Sequence, residues 1–441
     1  MKRALVVLAT AVVAGAGLAG PVSASPALGW GPCPEDAAVE CASLTVPVDW
    51  DRPTAGTIEV RVARKRATGD RIGTLFFLPG GPGGSGVGAV LTRAPLSAEI
   101  AARFDVVGID PRGTNRSSPV VCDADLADLP AGVPDTGARL VDVAASARRL
   151  GRDCRARTGP LLDHVDSAAV ARDLDALRAA LGERQVSVYG ISYGTLAGQM
   201  YAELFPRRVR AMVLDSVFDH SLSTRDFLTS EARAAEETFG QFVAWCDREP
   251  SCALHGRDVR RVYTDLYAEA VRGELHVPGD PAAPIGPMDL IGIAVGHQYG
   301  PAWNQLAGLL AAMAGGTAPV ALQAAEVVEF PMAVFCADHD FRFSSQRDWA
   351  DAWREVQRDA PTVGGHFAWS AASACASWPA RTGNPQHRTD VDGGPAILLM
   401  NSRYDPATPL EWARGVERQI DRSVLLTYDG WGHNVHARGS A

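Results

Sequence analysis

The chain is predicted to be an α/β protein, with a mostly parallel, doubly wound sheet interrupted by a helical insertion. Three observations carry this expectation. Up to Asp215, apolar strand-like runs alternate with helical ones, the pattern of a right-handed parallel sheet. From about Ser216 to Gly394, Ala-rich helical stretches dominate and strand signals are few. Strand character then returns at Pro395–Met400 and Ser423–Thr427. The expected division is a signal peptide over 1–24, a first part of the sheet domain over 25–215, a mainly helical lid over 216–394, and a second part of the sheet domain over 395–441.

Lys2 and Arg3 precede the apolar stretch Ala4–Ala19, and Val22-Ser23-Ala24 places small residues where signal peptidase cuts, so Ser25 is the expected mature N-terminus. The stretch is too short to span a bilayer comfortably, and no other segment comes close. No cysteine lies beside the cleavage site. A secreted monomer without a membrane or lipid anchor is therefore expected. Export accounts for eight cysteines, because disulfides persist in an oxidising compartment. Sequence order suggests Cys33 with Cys41, Cys122 with Cys154, Cys246 with Cys252 and Cys336 with Cys375, although spacing alone leaves connectivity open. No C-x-x-C or H-E-x-x-H spacing points to a metal. The net charge of −9 becomes −11 once Lys2 and Arg3 are removed (−9 − 2), which disfavours nucleic acid as a partner.

Along the chain, Thr57–Val62 alternates as a half-exposed strand does, and Thr74–Leu78 is continuously apolar, as a strand covered on both faces should be. The second run ends in Pro79-Gly80-Gly81-Pro82-Gly83-Gly84-Ser85-Gly86. This loop lacks the lysine of a phosphate loop, and its exposed N–H groups suit an oxyanion hole. A strand at Phe104–Ile109 leads into Asp110-Pro111-Arg112-Gly113, where the charged residues are expected to order loops. A helix follows, with Val170, Leu174, Leu177 and Leu181 on one face, Asp166 or Ser167 as N-cap and Gly182 as stop. It delivers the chain to the strand Val186–Tyr189, the turn Gly190-Ile191-Ser192-Tyr193-Gly194, a helix over Thr195–Phe205 and a strand over Val209–Asp215. In the insertion, helices are expected over Glu231–Trp245, Val259–Val271, Pro301–Ala314 and Arg347–Arg358, lying over the carboxyl edge of the sheet.

G-x-S-x-G between a strand and a helix is the context of a nucleophile elbow, with small flanking residues leaving room for a strained serine. A serine hydroxyl needs a base, and the base needs a carboxylate to fix its tautomer. Asp405 follows one late strand and His433 the next, in the order Ser, acid, His that an α/β-hydrolase sheet uses. Ser192, Asp405 and His433 are thus the candidate triad. The N–H groups of Gly81 and Tyr193 are the candidate oxyanion donors, and the chemistry needs no metal or organic cofactor.

These segments, together with Asp405-Pro406-Ala407-Thr408-Pro409, Gly432-His433, Trp245-Cys246 through Cys252 and Cys375 through Trp378-Pro379, resemble the secreted actinobacterial tripeptidyl aminopeptidases, relatives of the prolyl aminopeptidases. The likeness runs from about Cys33 to the C-terminus. It implies an α/β-hydrolase with a helical lid that admits free peptide N-termini and releases short peptides through an acyl-enzyme. The family also includes cell-envelope carboxylesterases and proteases, so an esterase is the alternative. Two departures stand out. The family usually continues past the histidine through a closing helix and further cysteines, whereas eight residues follow His433 here (441 − 433), and Asn434 stands where glycine is usual. A secreted binding protein without turnover is the reading those departures keep open. An aminopeptidase must pair the substrate ammonium with a carboxylate inside its cleft. Glu326, Glu329, Asp338 and Asp340, which flank the apolar run Phe330–Cys336, are the candidates.

Overall fold

A computed structural model describes residues 28–92, 96–123, 126, 132–315, 331–365 and 367–438. The strands are β1 (Gly31–Pro32), β2 (Glu40–Pro47), β3 (Thr57–Lys65), β4 (Gly73–Leu78), β5 (Phe104–Ile109), β6 (Val186–Ile191), β7 (Val209–Asp215), β8 (His276–Val277), β9 (Asp280–Pro284), β10 (Ile397–Tyr404) and β11 (Ser423–Trp431). Nine of them form one sheet in the order β1-β2-β3-β5-β4-β6-β7-β10-β11. From β5 to β11 all neighbours run parallel, while β1, β2, β3 and β5 pair antiparallel at the other end.

Alternate side chains of the central strands enter different clusters, because successive residues of a strand point to opposite faces. Phe76, Leu78 and Val188 pack with Leu174 and Leu177 of the helix Ser167–Ala180 and with Leu196 and Met200 of the helix Gly194–Leu204. Leu75, Phe77 and Tyr189 pack on the other side with Ile100 and Phe104. This two-sided burial is why β4 reads as an unbroken apolar run. Asp166 caps the helix Ser167–Ala180 by accepting from the Ala169 N–H, and Gly182 follows that helix at φ 71°.

Between β7 and β10 the chain leaves the sheet. Its helices run over Thr224–Arg248, Val259–Arg272, Pro287–Tyr299, Trp303–Gly315, Met332–Asp338, Gln346–Asp359 and Phe367–Cys375, and a small hairpin joins β8 to β9. Ring contacts among Phe218, Phe227, Phe335, His339, Phe341 and Trp412 fasten these helices to the loops after β7 and β10. Four disulfides join Cys33 to Cys41, Cys122 to Cys154, Cys246 to Cys252 and Cys336 to Cys375, the pairing that sequence order suggests. No helix among the described residues is long and apolar enough to cross a membrane.

Arg112 is the largest polar anchor of the sheet domain. It is fully buried, binds both Asp173 oxygens at 2.7 and 2.5 Å, and donates to the carbonyls of Pro47, Val48 and His164. Asp110 accepts from the Ser85 hydroxyl and the Val87 N–H, which braces the glycine loop against β5. Both residues order loops.

At the junction of insertion and sheet domain, His220 is buried with Nε2 2.7 Å from the Asp338 carbonyl, and burial lowers its pKa to about 4. A histidine depressed on folding binds fewer protons folded than unfolded, so its contribution is present above the unfolded value of roughly 6.5 and lost as pH falls toward 4. Wild type should therefore lose stability relative to a His220→Gln variant between about pH 6.5 and 4, by up to roughly 1.4 kcal/mol per pH unit. Urea midpoints of both proteins across that range check it, and parallel curves would refute it.

Candidate active site

Because β4, β6, β7, β10 and β11 run parallel, the loops after all five emerge at one edge of the sheet. The loop after β6 is the tightest. Ser192 takes φ 53°, a left-handed conformation that costs a side-chain-bearing residue of order 1 kcal/mol or more. The conformation is held from both sides: the Ser192 N–H donates to the Asp215 carbonyl at 2.8 Å, and the Ser192 carbonyl accepts from the Thr195 N–H and hydroxyl. A β-carbon on Gly194 would lie 2.4 Å from the Leu78 oxygen, so only glycine lets the elbow close on β4.

The glycine loop after β4 lies against this serine. A β-carbon on Gly80 would fall 2.8 Å from Ser192 Cβ and 3.3 Å from its Oγ. Gly81-Pro82-Gly83-Gly84-Ser85-Gly86 also has G-x-G-x-x-G spacing, but it packs on a nucleophile elbow rather than opening a long helix, since the helix that follows covers only Gly86–Thr92. Neither the Gly81 N–H nor the Tyr193 N–H donates to another described residue.

Asp405 and His433 meet. The imidazole Nδ1 lies 2.9 Å from both Asp405 oxygens, and both residues are buried. The carboxylate also accepts from the N–H groups of Ala407 and Thr408 and from the hydroxyls of Thr408 and Ser216. Burial alone would raise its pKa, but the His433 charge and these donors outweigh that and hold the carboxyl below its usual range. Asn434 takes φ 68°, where asparagine is the side chain best tolerated after glycine. The Ser192 hydroxyl makes no hydrogen bond to another described residue, and nucleophile–base bonds commonly tighten only around substrate.

The matches to known proteins agree with this layout. Residues 73–273 match the family described as "alpha/beta hydrolase fold", and residues 360–441 match "TAP-like protein". The "Tripeptidyl aminopeptidase" of Streptomyces coelicolor is 30% identical over 96% of this chain and 83% of its own length. The chain belongs to the tripeptidyl-aminopeptidase-like α/β-hydrolases. "Serine protease Hip1" of Mycobacterium tuberculosis is 31% identical over 91% of this chain and 82% of that protein. "Carboxylesterase B" of the same organism is 33% identical over 93% and 85%.

For this α/β-hydrolase, two of the four carboxylates expected to receive an ammonium, Asp338 and Asp340, are already engaged elsewhere. Asp338 is fully buried and already filled: the Ser167 N–H and hydroxyl, the Tyr193 hydroxyl and the Asn384 amide all donate to it at 2.6–2.8 Å. Burial and the nearby Asp166 charge push its pKa up to about 7 despite those donors. It holds the Tyr193 hydroxyl and has no exposed surface. Asp340 is exposed and ion-paired with Arg342. Glu326 and Glu329 lie outside the described residues.

Sequence reasoning passed over Tyr299, which touches His433, and Glu231, whose charge acts on Tyr299. Tyr299, at the end of the helix Pro287–Tyr299, accepts the backbone N–H of His433 on its carbonyl at 2.8 Å and sets its ring edge-on to the imidazole at 5.0 Å. Burial, then the charges of Glu231 and Asp405, raise the Tyr299 pKa, so both carboxylates lie within electrostatic reach of its phenol. Glu231 is buried on the helix Thr224–Arg248 and accepts the Phe367 N–H at 3.1 Å. The helix also carries Asp226, Glu236, Glu237 and Asp247, so nothing in the sequence alone marks Glu231 out.

Proposed function

We propose that the chain is a secreted, monomeric serine aminopeptidase that removes short peptides, tripeptides foremost, from free N-termini through an acyl-enzyme. The observation that carries the reading is the buried Asp405–His433 pair at the sheet edge where Ser192 takes its strained turn. Ser192 Oγ attacks the scissile carbonyl while His433 Nε2 takes its proton. Asp405 keeps the imidazole proton on Nδ1 and stabilises the imidazolium. The N–H groups of Gly81 and Tyr193 receive the oxyanion, and collapse of the tetrahedral adduct returns the proton to the leaving amine. Water then repeats the sequence on the ester. Four disulfides support export.

Glu231 is the carboxylate we assign to the substrate ammonium, since it lies on a helix of the insertion near the tyrosine that packs on His433. A tripeptide p-nitroanilide with a free N-terminus should therefore be cleaved at least about thirty-fold faster in kcat/KM than its N-acetyl form, the effect of losing roughly 2 kcal/mol of buried charge pairing. Glu231→Gln should remove most of that gap. Equal rates on the two peptides would rule out amine recognition. The esterase reading has the Carboxylesterase B likeness in its favour. It expects fast turnover of p-nitrophenyl butyrate, slow turnover of both peptides and no response to acetylation.

A further inference from the structure

The five edge loops are not held independently. Asp215, the last residue of β7, and Ser216 after it are both fully buried, and between them they touch every loop that bears a candidate catalytic residue. The Asp215 carbonyl accepts the Ser192 N–H at 2.8 Å. Its carboxylate accepts the N–H groups of Val435 and His436 at 2.7 and 3.0 Å, just past His433, and the Tyr189 hydroxyl at 2.9 Å. Burial and the Asp215 charge raise the Tyr189 pKa, which keeps that phenol a donor. Ser216 donates its hydroxyl to Asp405 Oδ2 at 2.8 Å and accepts the Asn434 N–H on the same oxygen at 2.8 Å. Its own N–H donates to the Met400 carbonyl on β10.

Ser216 does this at a cost. Its φ is 60°, so it is a second serine in the left-handed region at this edge, where glycine would sit without strain. A side chain kept where the backbone favours glycine is retained for what the side chain does. Here its hydroxyl bridges the acid loop and the histidine loop, alongside the direct Asp405–His433 contact.

We propose that Asp215 and Ser216 are positioning residues of the active site: Asp215 sets the elbow and the histidine loop at one distance, and the Ser216 hydroxyl fixes the orientation and charge of Asp405. The proposal rests on the triad reading above. Neither residue reaches the substrate, so both act through the triad. Loss of the Ser216 donor leaves more charge on Asp405 for the imidazole, which favours the imidazolium. It also frees the 434 amide from the acid loop.

The test uses Ser216→Gly, Ser216→Ala and Ser216→Cys in the full-length protein, with thermal midpoints, kcat, KM and the pH profile of kcat/KM. Glycine relieves the backbone strain that alanine keeps, so the two should differ in midpoint while losing kcat alike, by about ten- to a hundred-fold, the effect of one hydrogen bond to a charged group. KM should change little, and the acidic limb of the profile should move to higher pH in both. Cysteine, a weak donor, should fall between wild type and alanine. A Ser216→Gly protein with wild-type kcat and an unmoved acidic limb overturns the proposal, as does activity that follows the midpoints alone. Failure of all three variants to fold would make the dipeptide purely structural and overturn it too. Fluorophosphonate labelling of wild type keeps the two readings apart: if wild-type Ser192 is not labelled, the triad reading itself fails.

Discussion

Replacing Ser192 by alanine should lower kcat on a tripeptide p-nitroanilide by about four to six powers of ten, and His433→Ala should do the same, because a serine and its base act as one unit and the residual rate comes from the oxyanion donors and binding alone. Asp405→Asn should fold and still be about 10⁴-fold slow. An amide at that position can present its NH₂ to Nδ1 and so hold the wrong tautomer, while the Ala407 and Thr408 N–H groups that now meet a carboxylate oxygen find a poorer acceptor. The decisive comparison is between variants: hydrolysis by Ser192→Ala within ten-fold of wild type would remove the nucleophile from the scheme, whatever the other two do.

The largest effect on stability is expected at the Arg112–Asp173 pair. Asp173→Ala leaves a fully buried guanidinium with three carbonyl partners and no counter-charge, and breaking such a pair from one side costs about 3–5 kcal/mol. It also strips the Trp50 indole N–H of its acceptor. A double change, Arg112→Met with Asp173→Leu, removes both charges and should recover much of the loss, because buried ion pairs often gain little over apolar packing. Urea unfolding of the three proteins measures this. A single variant as stable as wild type would show that Arg112 finds solvent, contrary to its burial.

Much of the fold could be read from residue order, and the reasons differ by element. Phe104–Ile109 and Val209–Asp215 are strands over the very residues the apolar runs mark, with β5 buried beyond Phe104 and β7 largely buried from Met212 on. β10 and β11 run further than their apolar cores suggest, to Tyr404 and Trp431, since Asn401 and Ser402 keep pairing with Thr427 and Tyr428. The helix Leu140–Thr158 is too rich in arginine to stand out, although Val143, Ala147, Leu150 and Cys154 line its buried face. Strand β2 was hidden by Cys41 and by Pro47 at its end.

The site divides in the same way. Ser192, Asp405 and His433 could be singled out because each sits in a loop at a strand's carboxyl end, where polar residues have no packing role to hide in. Asp215 and Ser216 could not, for one ends a strand and the other follows it, and their contacts with the triad loops come from segments distant in sequence. Asp338 shows the converse. Its place beside the buried run that includes Phe335 and Cys336 was legible, but the direction of its carboxylate, toward Ser167, Tyr193 and Asn384, depends on segments distant in sequence.

Tyr299 ties the helical insertion to the base of the candidate triad. The helix that ends there hands a backbone acceptor to the His433 N–H and covers one side of the imidazole. If that helix lifts to admit the proposed peptide substrate, the acceptor would be exchanged for water and the imidazole would lose its brace. Admission and proton transfer would then be separate in time, with a reclosing step between them. On a fast-reacting substrate, that step rather than bond cleavage would set the pace, and raised solvent viscosity would slow turnover while the chemistry stayed the same.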